Sequence, residues 1–359
     1  AGQDFILMSM QIFKRDYERV CWQLGPKRVH VILDEAQCIK GVGTQNYKMF
    51  RDFVGLQSHQ LLTGTPLSNP MDAFAYVKLN APSVYLTLAQ FERIHVSQRD
   101  VFNKPTAYQN LDLLKENLLI NADRKTKEDV LIDLPECIIV PLEYELAPQH
   151  QKLYKRLVNE QLLKFSDGET INATQASALY HALGRIVMQW SHYGHDESLK
   201  SAGYEVVEEV LEELGDKKLI VFGNYKRTNA ELVRRFNCPG IWGEISATTK
   251  QEALDEFIEN PKCRMIVLHP QAGGVGVDGL QRVCSDVLYV EPPMAVSHLT
   301  QSLSRVHRDG QKHVVTIRLA TALGTIQQHL VRSLSSKEAL VNPLQGSRST
   351  LRAAFFGER

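Results

Sequence analysis

Four short runs in the sequence gather residue types that can act on a phosphate. Asp34-Glu35-Ala36-Gln37 follows the apolar run Arg28-Val29-His30-Val31-Ile32-Leu33, which reads as a strand. Open α/β sheets bind ligands beyond the carboxyl ends of their strands, and two adjacent carboxylates there can divide labour. Asp34 can hold Mg2+ through the ion's water shell, since Mg2+ keeps several waters and takes few protein ligands. Glu35 can orient or deprotonate an attacking water. These four residues also read as a solvated acidic pair at a strand end. Leu62-Thr63-Gly64-Thr65-Pro66-Leu67-Ser68-Asn69 follows a second strand signal, His59-Gln60-Leu61-Leu62. Two hydroxyls flanking a glycine, closed by a proline, make a tight loop that can report the state of a neighbouring phosphate. The alternative is an ordinary strand-to-helix turn capped by Ser68 or Asn69.

Ala272-Gly273-Gly274-Val275-Gly276-Val277-Asp278 follows the run Arg264-Met265-Ile266-Val267-Leu268. Its glycines let backbone amides approach a phosphate and line an anion nest; a mobile loop is the other reading. The last run is Gln301-Ser302-Leu303-Ser304-Arg305-Val306-His307-Arg308-Asp309-Gly310-Gln311. On a helix, positions 301, 305 and 308 fall at i, i+4 and i+7, so the spacing predicts Gln301, Arg305 and Arg308 on one face. Leu299, Leu303 and Val306 would then face a core, and Gly310 suits the left-handed residue that ends such a helix. Two guanidiniums in register suit a polyphosphate whose charge changes during reaction. Against this stands a salt-bridged surface helix.

The elements that must carry these runs recur along the chain. Further strand signals are Lys218-Leu219-Ile220-Val221-Phe222, Asp286-Val287-Leu288-Tyr289-Val290 and Val314-Val315-Thr316-Ile317-Arg318-Leu319. Continuous apolar strands of this kind predict parallel sheets buried on both faces by helices. Gln149 to Leu163 and Ala176 to Trp190 have helical spacing and little strand character. We therefore expect an α/β chain with a first lobe over 1–140, a helical insert or linker over 141–216, a second lobe over 217–335 and a tail over 336–359. A length of 359 residues is comfortable for two domains. The 43% hydrophobic and 23% charged fractions are those of a globular protein. No apolar run approaches the ~20 residues needed to span a bilayer, and Ala1-Gly2-Gln3-Asp4 does not open a signal peptide. The start also lacks an initiator Met, which fits an internal fragment or a processed end. The six cysteines are scattered without a C-x-x-C pair, which argues against a zinc site or a disulfide framework and for a reducing compartment. The formal charge is +0, so contact with a nucleic acid must come from local patches or backbone amides.

In their order along the chain these runs resemble the motif series of Swi/Snf-type translocases, within the wider RecA-like helicase class. Asp34–Gln37 resembles the family's second motif and Leu62–Asn69 its L-T-G-T-P-L-x-N third motif. Arg124-Lys125-Thr126-Lys127-Glu128-Asp129-Val130 with Leu134-Pro135 is similar to the R-x-x-K-x-D-V…L-P stretch at the lobe junction. Gln149-His150-Gln151-Lys152-Leu153-Tyr154 resembles the Q-x-x-L-Y helix that follows. Lys218–Asn224 resembles the fourth motif, the glycine run the fifth and Gln301–Gln311 the sixth, whose terminal G-Q differs from the H-R-x-G-R-x-x-R of D-E-A-D-type RNA helicases. Three departures stand out. Gln37 replaces the usual histidine, Asp278 stands where asparagine is common, and no G-x-x-x-x-G-K-[ST] occurs in the 359 residues.

The resemblance implies two RecA-like parallel-sheet lobes with helical insertions between them, the first truncated at its N-terminus. It implies an ATP- and Mg2+-dependent, double-stranded DNA-stimulated ATPase, with ATP between the lobes. Glu35, Arg305 and Arg308 would be catalytic. Asp34, Gln37, Gly274, Gly276, Asp278 and Gln301 would lie at the nucleotide, Asp34 on Mg2+ through water. Thr63, Gly64, Thr65, Asn69 and Asn224 would couple hydrolysis to DNA. Rivals are a non-catalytic DNA-binding scaffold and an RNA-unwinding enzyme. Without a phosphate loop the 359 residues alone are expected to be inactive, and the strand ending at Leu62 is expected to lie at a bared sheet edge. Other DNA-processing proteins are expected partners, with no membrane association. The expected setting is intracellular: the cytoplasm or nucleoid of a bacterium or virus-infected cell, or a nucleus. His192-Tyr193-Gly194-His195 is expected to bind no metal, and Phe355-Phe356, with Arg348 and Arg352, reads as a frayed or docked end.

Overall fold

The computed structural model describes residues 5–25, 27–99, 103–125, 127–162, 173–189, 201–243, 245–270, 278–293, 296–328 and 330–331. They divide into two compact units, the first ending at Arg124 and the second beginning at Lys125. No helix among the described residues is long and apolar enough to cross a membrane.

In the first unit, α1 (Met10–Arg15) and α2 (Tyr17–Leu24) precede β1 (Val29–Leu33). Next comes α3 (Gln45–Arg51), started by Thr44, whose hydroxyl oxygen accepts the Tyr47 N–H. β2 (Leu56–Leu61) then pairs in parallel with β1, Leu33 lying opposite Leu61. α4 (Ala73–Asn80) and α5 (Leu88–His95) follow, then the antiparallel pair β3 (Val96–Arg99) and β4 (Pro105–Tyr108), which the sequence reading lacked, and α6 (Leu111–Leu118). Val31 and Leu33 of β1 pack with Leu56 and Leu61 against Ile39, Tyr47, Phe50 and Ala75. The other face of β1 is open: His30 is exposed and Ile32 is 58% exposed. The expectation of strands buried on both faces therefore fails for β1 and β2. β2 reads Leu-Gln-Ser-His-Gln-Leu, polar through its middle, so alternate side chains favour water on one side.

The second unit opens with α7 (Lys127–Val130) and β5 (Cys137–Tyr144). After α8 (Pro148–Leu162), α9 (Ala173–Met188) and α10 (Ala202–Leu214) come β6 (Leu219–Phe222), α11 (Lys226–Phe236) and β7 (Gly240–Ile241). α12 (Ala247–Glu259), β8 (Met265–Leu268), β9 (Asp286–Tyr289), α13 (Val296–Leu303) and β10 (Val315–Ala322) complete it. The six strands form one sheet in the order β5-β10-β9-β6-β8-β7, parallel throughout. Here the expectation of double burial holds, for β6, β8 and β9 are buried at every position. Ile220, Ile266, Val287 and Ile317 meet Leu254 and Phe257 of α12 and Leu299 of α13 on one face. Leu219, Val221, Val267 and Leu288 meet Val207, Val210 and Leu214 of α10 and Leu232 of α11 on the other.

Two expected boundaries move. The end of the first lobe at residue 140 falls inside β5, which pairs with β10 from Cys137↔Val315 to Tyr144↔Ala322. The described residues between β5 and β6 are mostly helical but not a separate linker: α10 covers the sheet, and Leu146, Tyr154, Leu183, Ile186 and Val187 pack with Ala322 of β10. The amphipathic face of α10 needs an apolar partner, and the sheet supplies it.

Candidate active site

In the first unit the acidic run leaves β1 through a left-handed residue. Glu35 has φ 51° and ψ 51°, and Ala36–Ile39 follow as one 3-10 turn. A side chain in that region costs of order 1–3 kcal/mol and persists only where the surroundings fix it. Here the Ala36 N–H donates to Leu62 O at 2.9 Å, the Leu62 N–H donates to Leu33 O at 2.9 Å, and the Tyr76 hydroxyl donates to Ala36 O at 3.2 Å. Ala36 is thereby buried while Asp34 and Glu35 stay exposed. One oxygen of Asp34 accepts the Glu35 N–H at 2.9 Å.

Gln37 joins the two runs of this unit. Its Nε2 donates to Glu35 Oε2 at 2.6 Å, and its Oε1 accepts from the Thr63 hydroxyl at 2.7 Å. Thr63 Oγ1 in turn accepts the Thr65 N–H at 3.1 Å. A four-member relay thus runs from the T-G-T loop to the Glu35 carboxylate. Asn69 caps the 3-10 turn Pro70–Asp72 in a reciprocal capping box, and Asp72 also accepts the Ser68 N–H at 2.7 Å. Lys40 bonds Ser68 Oγ and lies 3.4 Å from Asp72. Thr65 is buried and Gly64 lies in open space between the two threonines.

In the second unit the arginines do not share a helical face. α13 ends at Leu303, and Arg305 and Arg308 lie in the turns beyond it. The serine hydroxyls help to stop the helix: Ser302 Oγ donates to His298 O and Leu299 O at 2.6 and 3.0 Å, and Ser304 Oγ donates to Gln301 O at 2.7 Å. Gln301 itself is on α13. Leu299 and Val306 are buried as the spacing predicts, and Leu303 packs against the same cluster. Gly310 has φ 88°, and Gln311 beside it is buried. The Gln311 amide donates to Cys284 O at 3.0 Å and Val306 O at 3.3 Å, while its oxygen accepts the N–H groups of Lys312 and His313 at 2.9 Å. The G-Q pair is therefore a fastening for the arginine turn. Arg308 Nη1 lies 3.1 Å from Asp278 Oδ1. The Asp278 carboxyl is held below the usual range, first by the Gly279 N–H, then by Gln281 and by the Arg308 charge. Lys250 on α12 is held below the usual lysine range by burial and by the nearby Arg305 charge. Gly274 and Gly276 lie outside the described residues, as do His192–His195 and the tail.

Asn224 sits in the turn after β6, but its side-chain amide donates to Pro292 O at 2.6 Å and Glu291 O at 3.3 Å. That bridge shows a residue the sequence reading missed. Glu291, fully buried just beyond β9, accepts the N–H groups of Asn224 and Tyr225 at 2.7 and 3.1 Å and the Thr228 hydroxyl at 2.7 Å. Burial pushes its carboxyl up to about 7 despite these three donors. The sequence signal was a carboxylate directly after the apolar run Val287-Leu288-Tyr289-Val290.

Each unit carries a parallel sheet with polar turns beyond the ends of its strands. Two family models match the chain, SNF2-related domain over residues 2–193 and Helicase conserved C-terminal domain over residues 202–310. The chain belongs to the SNF2-related domain family. An uncharacterized ATP-dependent helicase of Mycoplasma pneumoniae is 24% identical over 94% of this chain and 32% of its own length. A chromodomain-helicase-DNA-binding protein 3 homolog of Caenorhabditis elegans is 25% identical over 88% of this chain and 18% of its own. The chain thus spans a third or less of these curated relatives. Among solved structures, a Sulfolobus solfataricus SWI2/SNF2 ATPase core in complex with dsDNA matches at TM-score 0.47 and 21% identity, over 93% of this chain and 73% of that one.

Proposed function

We propose that this chain is most of the motor of an ATP-driven, double-stranded DNA translocase of the Swi/Snf type, acting on DNA or protein–DNA complexes. The observation that supports this best is the relay Thr65–Thr63–Gln37–Glu35, because it ties a water-orienting carboxylate to a neighbouring loop. A merely solvated acidic pair has no need of such a tie.

On this reading Glu35 orients the attacking water. Asp34 holds Mg2+ through water. No group of three or more His, Cys, Asp or Glu side chains that could hold a metal ion occurs among the described residues, and a single carboxylate fits an ion that keeps most of its own water shell. When bound, Mg2+ supplies neutralisation of phosphate charge. Arg305 and Arg308 meet the charge that develops during reaction. DNA is held mainly through its phosphates and read with little sequence preference. The 359 residues contain no G-x-x-x-x-G-K-[ST], so we infer that by themselves they do not turn over ATP.

The test is ATP hydrolysis by the full-length protein with duplex DNA of unrelated sequences, with single-stranded RNA, and at rising salt. Every duplex is expected to stimulate turnover, and stimulation should fade with salt as phosphate contacts exchange with counterions. Stimulation by RNA with duplex DNA inert would make this an RNA-directed enzyme. No turnover at all would make it a binding scaffold.

A further inference from the structure

The arginine turn begins where α13 ends, and backbone bonds of the last helical turn run on into it: the Arg305 N–H donates to Ser302 O at 3.2 Å and the His307 N–H to Leu303 O at 2.9 Å. Some of its support is local: Val306 is buried, Gln311 bonds the Val306 and Cys284 carbonyls, and Asp278 pairs with Arg308. Further support comes from far along the sequence, and it acts on His307, between the two arginines. Lys127, at the start of α7, donates its ammonium to His307 O. His307 Nε2 lies 2.8 Å from Pro135 O. A carbonyl only accepts, so Nε2 carries the proton in this contact. The segment 127–135 thereby grips the backbone and the side chain of one residue. That segment and the arginine turn both belong to the second unit, so the grip ties the start of that unit to a turn about 170 residues further on.

We propose that Lys127 and His307 are positioning residues that clasp the arginine turn in the geometry the reaction needs. The proposal rests on the reading that Arg305 and Arg308 act on the nucleotide. A bond from an ammonium is among the stronger hydrogen bonds, and small displacements of a catalytic group are costly in rate. The clasp should therefore show in turnover before it shows in stability.

Lys127→Ala and His307→Ala are compared with Lys127→Arg and His307→Gln, which keep a donor, in the full-length protein. With duplex DNA the alanine variants should lose ~10-fold or more in kcat while KM for ATP moves less than about two-fold, and the donor-keeping variants should recover most of the loss. Amide hydrogen exchange across residues 304–311 should quicken in the alanine variants alone, with β6, β8 and β9 unchanged. Normal kcat in Lys127→Ala would overturn the proposal. So would Lys127→Arg doing no better than Lys127→Ala, or faster exchange throughout the sheet. Should the unaltered protein show no DNA-stimulated turnover, the functional reading falls and the exchange experiment still decides the clasp: local quickening supports it, and its absence overturns it.

Discussion

Gln37 receives a hydroxyl proton on one end and offers an amide proton on the other, and that polarity cannot be reversed without cost. Turning the amide would place its oxygen against the Glu35 carboxylate, 2.6 Å from where Nε2 now lies. An amide also has no proton to gain or lose near neutral pH, so the relay keeps one sense at any working pH, unlike the histidine it replaces in the family pattern. Gln37→Ala should lower DNA-stimulated kcat by about 10-fold, since Glu35 loses its orienting partner, and a rise in KM for ATP would report the expected contact of Gln37 with the nucleotide. Gln37→Glu should do worse, because it sets two carboxylates side by side. Steady-state kinetics on the two variants would decide this. If Gln37→Glu matched the unaltered protein, the relay would have no part in turnover.

At the scale of elements, the turn after β6 and the start of α11 are held to β9 by Glu291, and α8 is held to α9 by His150, whose ring lies 3.0 Å from Ile186 O through Nε2. Both groups are buried and both titrate away from their ordinary values, in opposite senses. The Glu291 carboxyl rises from 4.5 to about 7, so its contribution to stability is full below 4.5 and is lost as pH rises through 7. The His150 ring falls from 6.5 to about 4, chiefly through burial, so stability is lost as pH falls from 6.5 toward 4. Over most of pH 4.5–6.5 the two slopes oppose each other. Glu291→Gln removes one of them, and its melting temperature relative to the unaltered protein should climb between pH 5 and pH 8. His150→Gln removes the other and should lessen the loss of stability below pH 6. Thermal melts at several pH values measure both; parallel curves for Glu291→Gln and the unaltered protein would show that Glu291 does not titrate in this range.

At the scale of the whole molecule, positioning and charge stabilisation carry phosphoryl transfer, and a phosphate loop supplies much of both. On the proposed reading Glu35 and the arginines act on phosphates already held in place. We therefore expect no DNA-dependent ATP turnover from the 359 residues by themselves, and turnover from a longer chain that supplies a phosphate loop. A side-by-side assay of the two measures this, and robust turnover by the 359 residues would show that other groups of the chain hold the phosphates. The second unit has a complete six-stranded sheet with both faces covered, so it should unfold as one cooperative body.

Much of this protein was written in local patterns. The runs at 219–222, 265–268, 286–289 and 315–322 are strands of one parallel sheet because runs so rich in apolar residues find burial only between helices, and the two charged residues among them, Asp286 and Arg318, pair with each other at 2.7 Å. The acidic run lies at a strand end, as read from the run before it. Spacing could not say where α13 stops, because i, i+4, i+7 describes a face only while the helix lasts. Beyond its end the chain is held by the Ser304 hydroxyl on Gln301 O and, from outside, by Gln311 and Lys127. Nor could sequence show that Gln37 reaches Thr63, 26 residues on, that β5 crosses to the second sheet, or that Glu291 lies buried beneath the turn carrying Asn224. Each of these is a contact between segments distant along the chain, and only the packing of the sheets brings such segments within hydrogen-bonding distance.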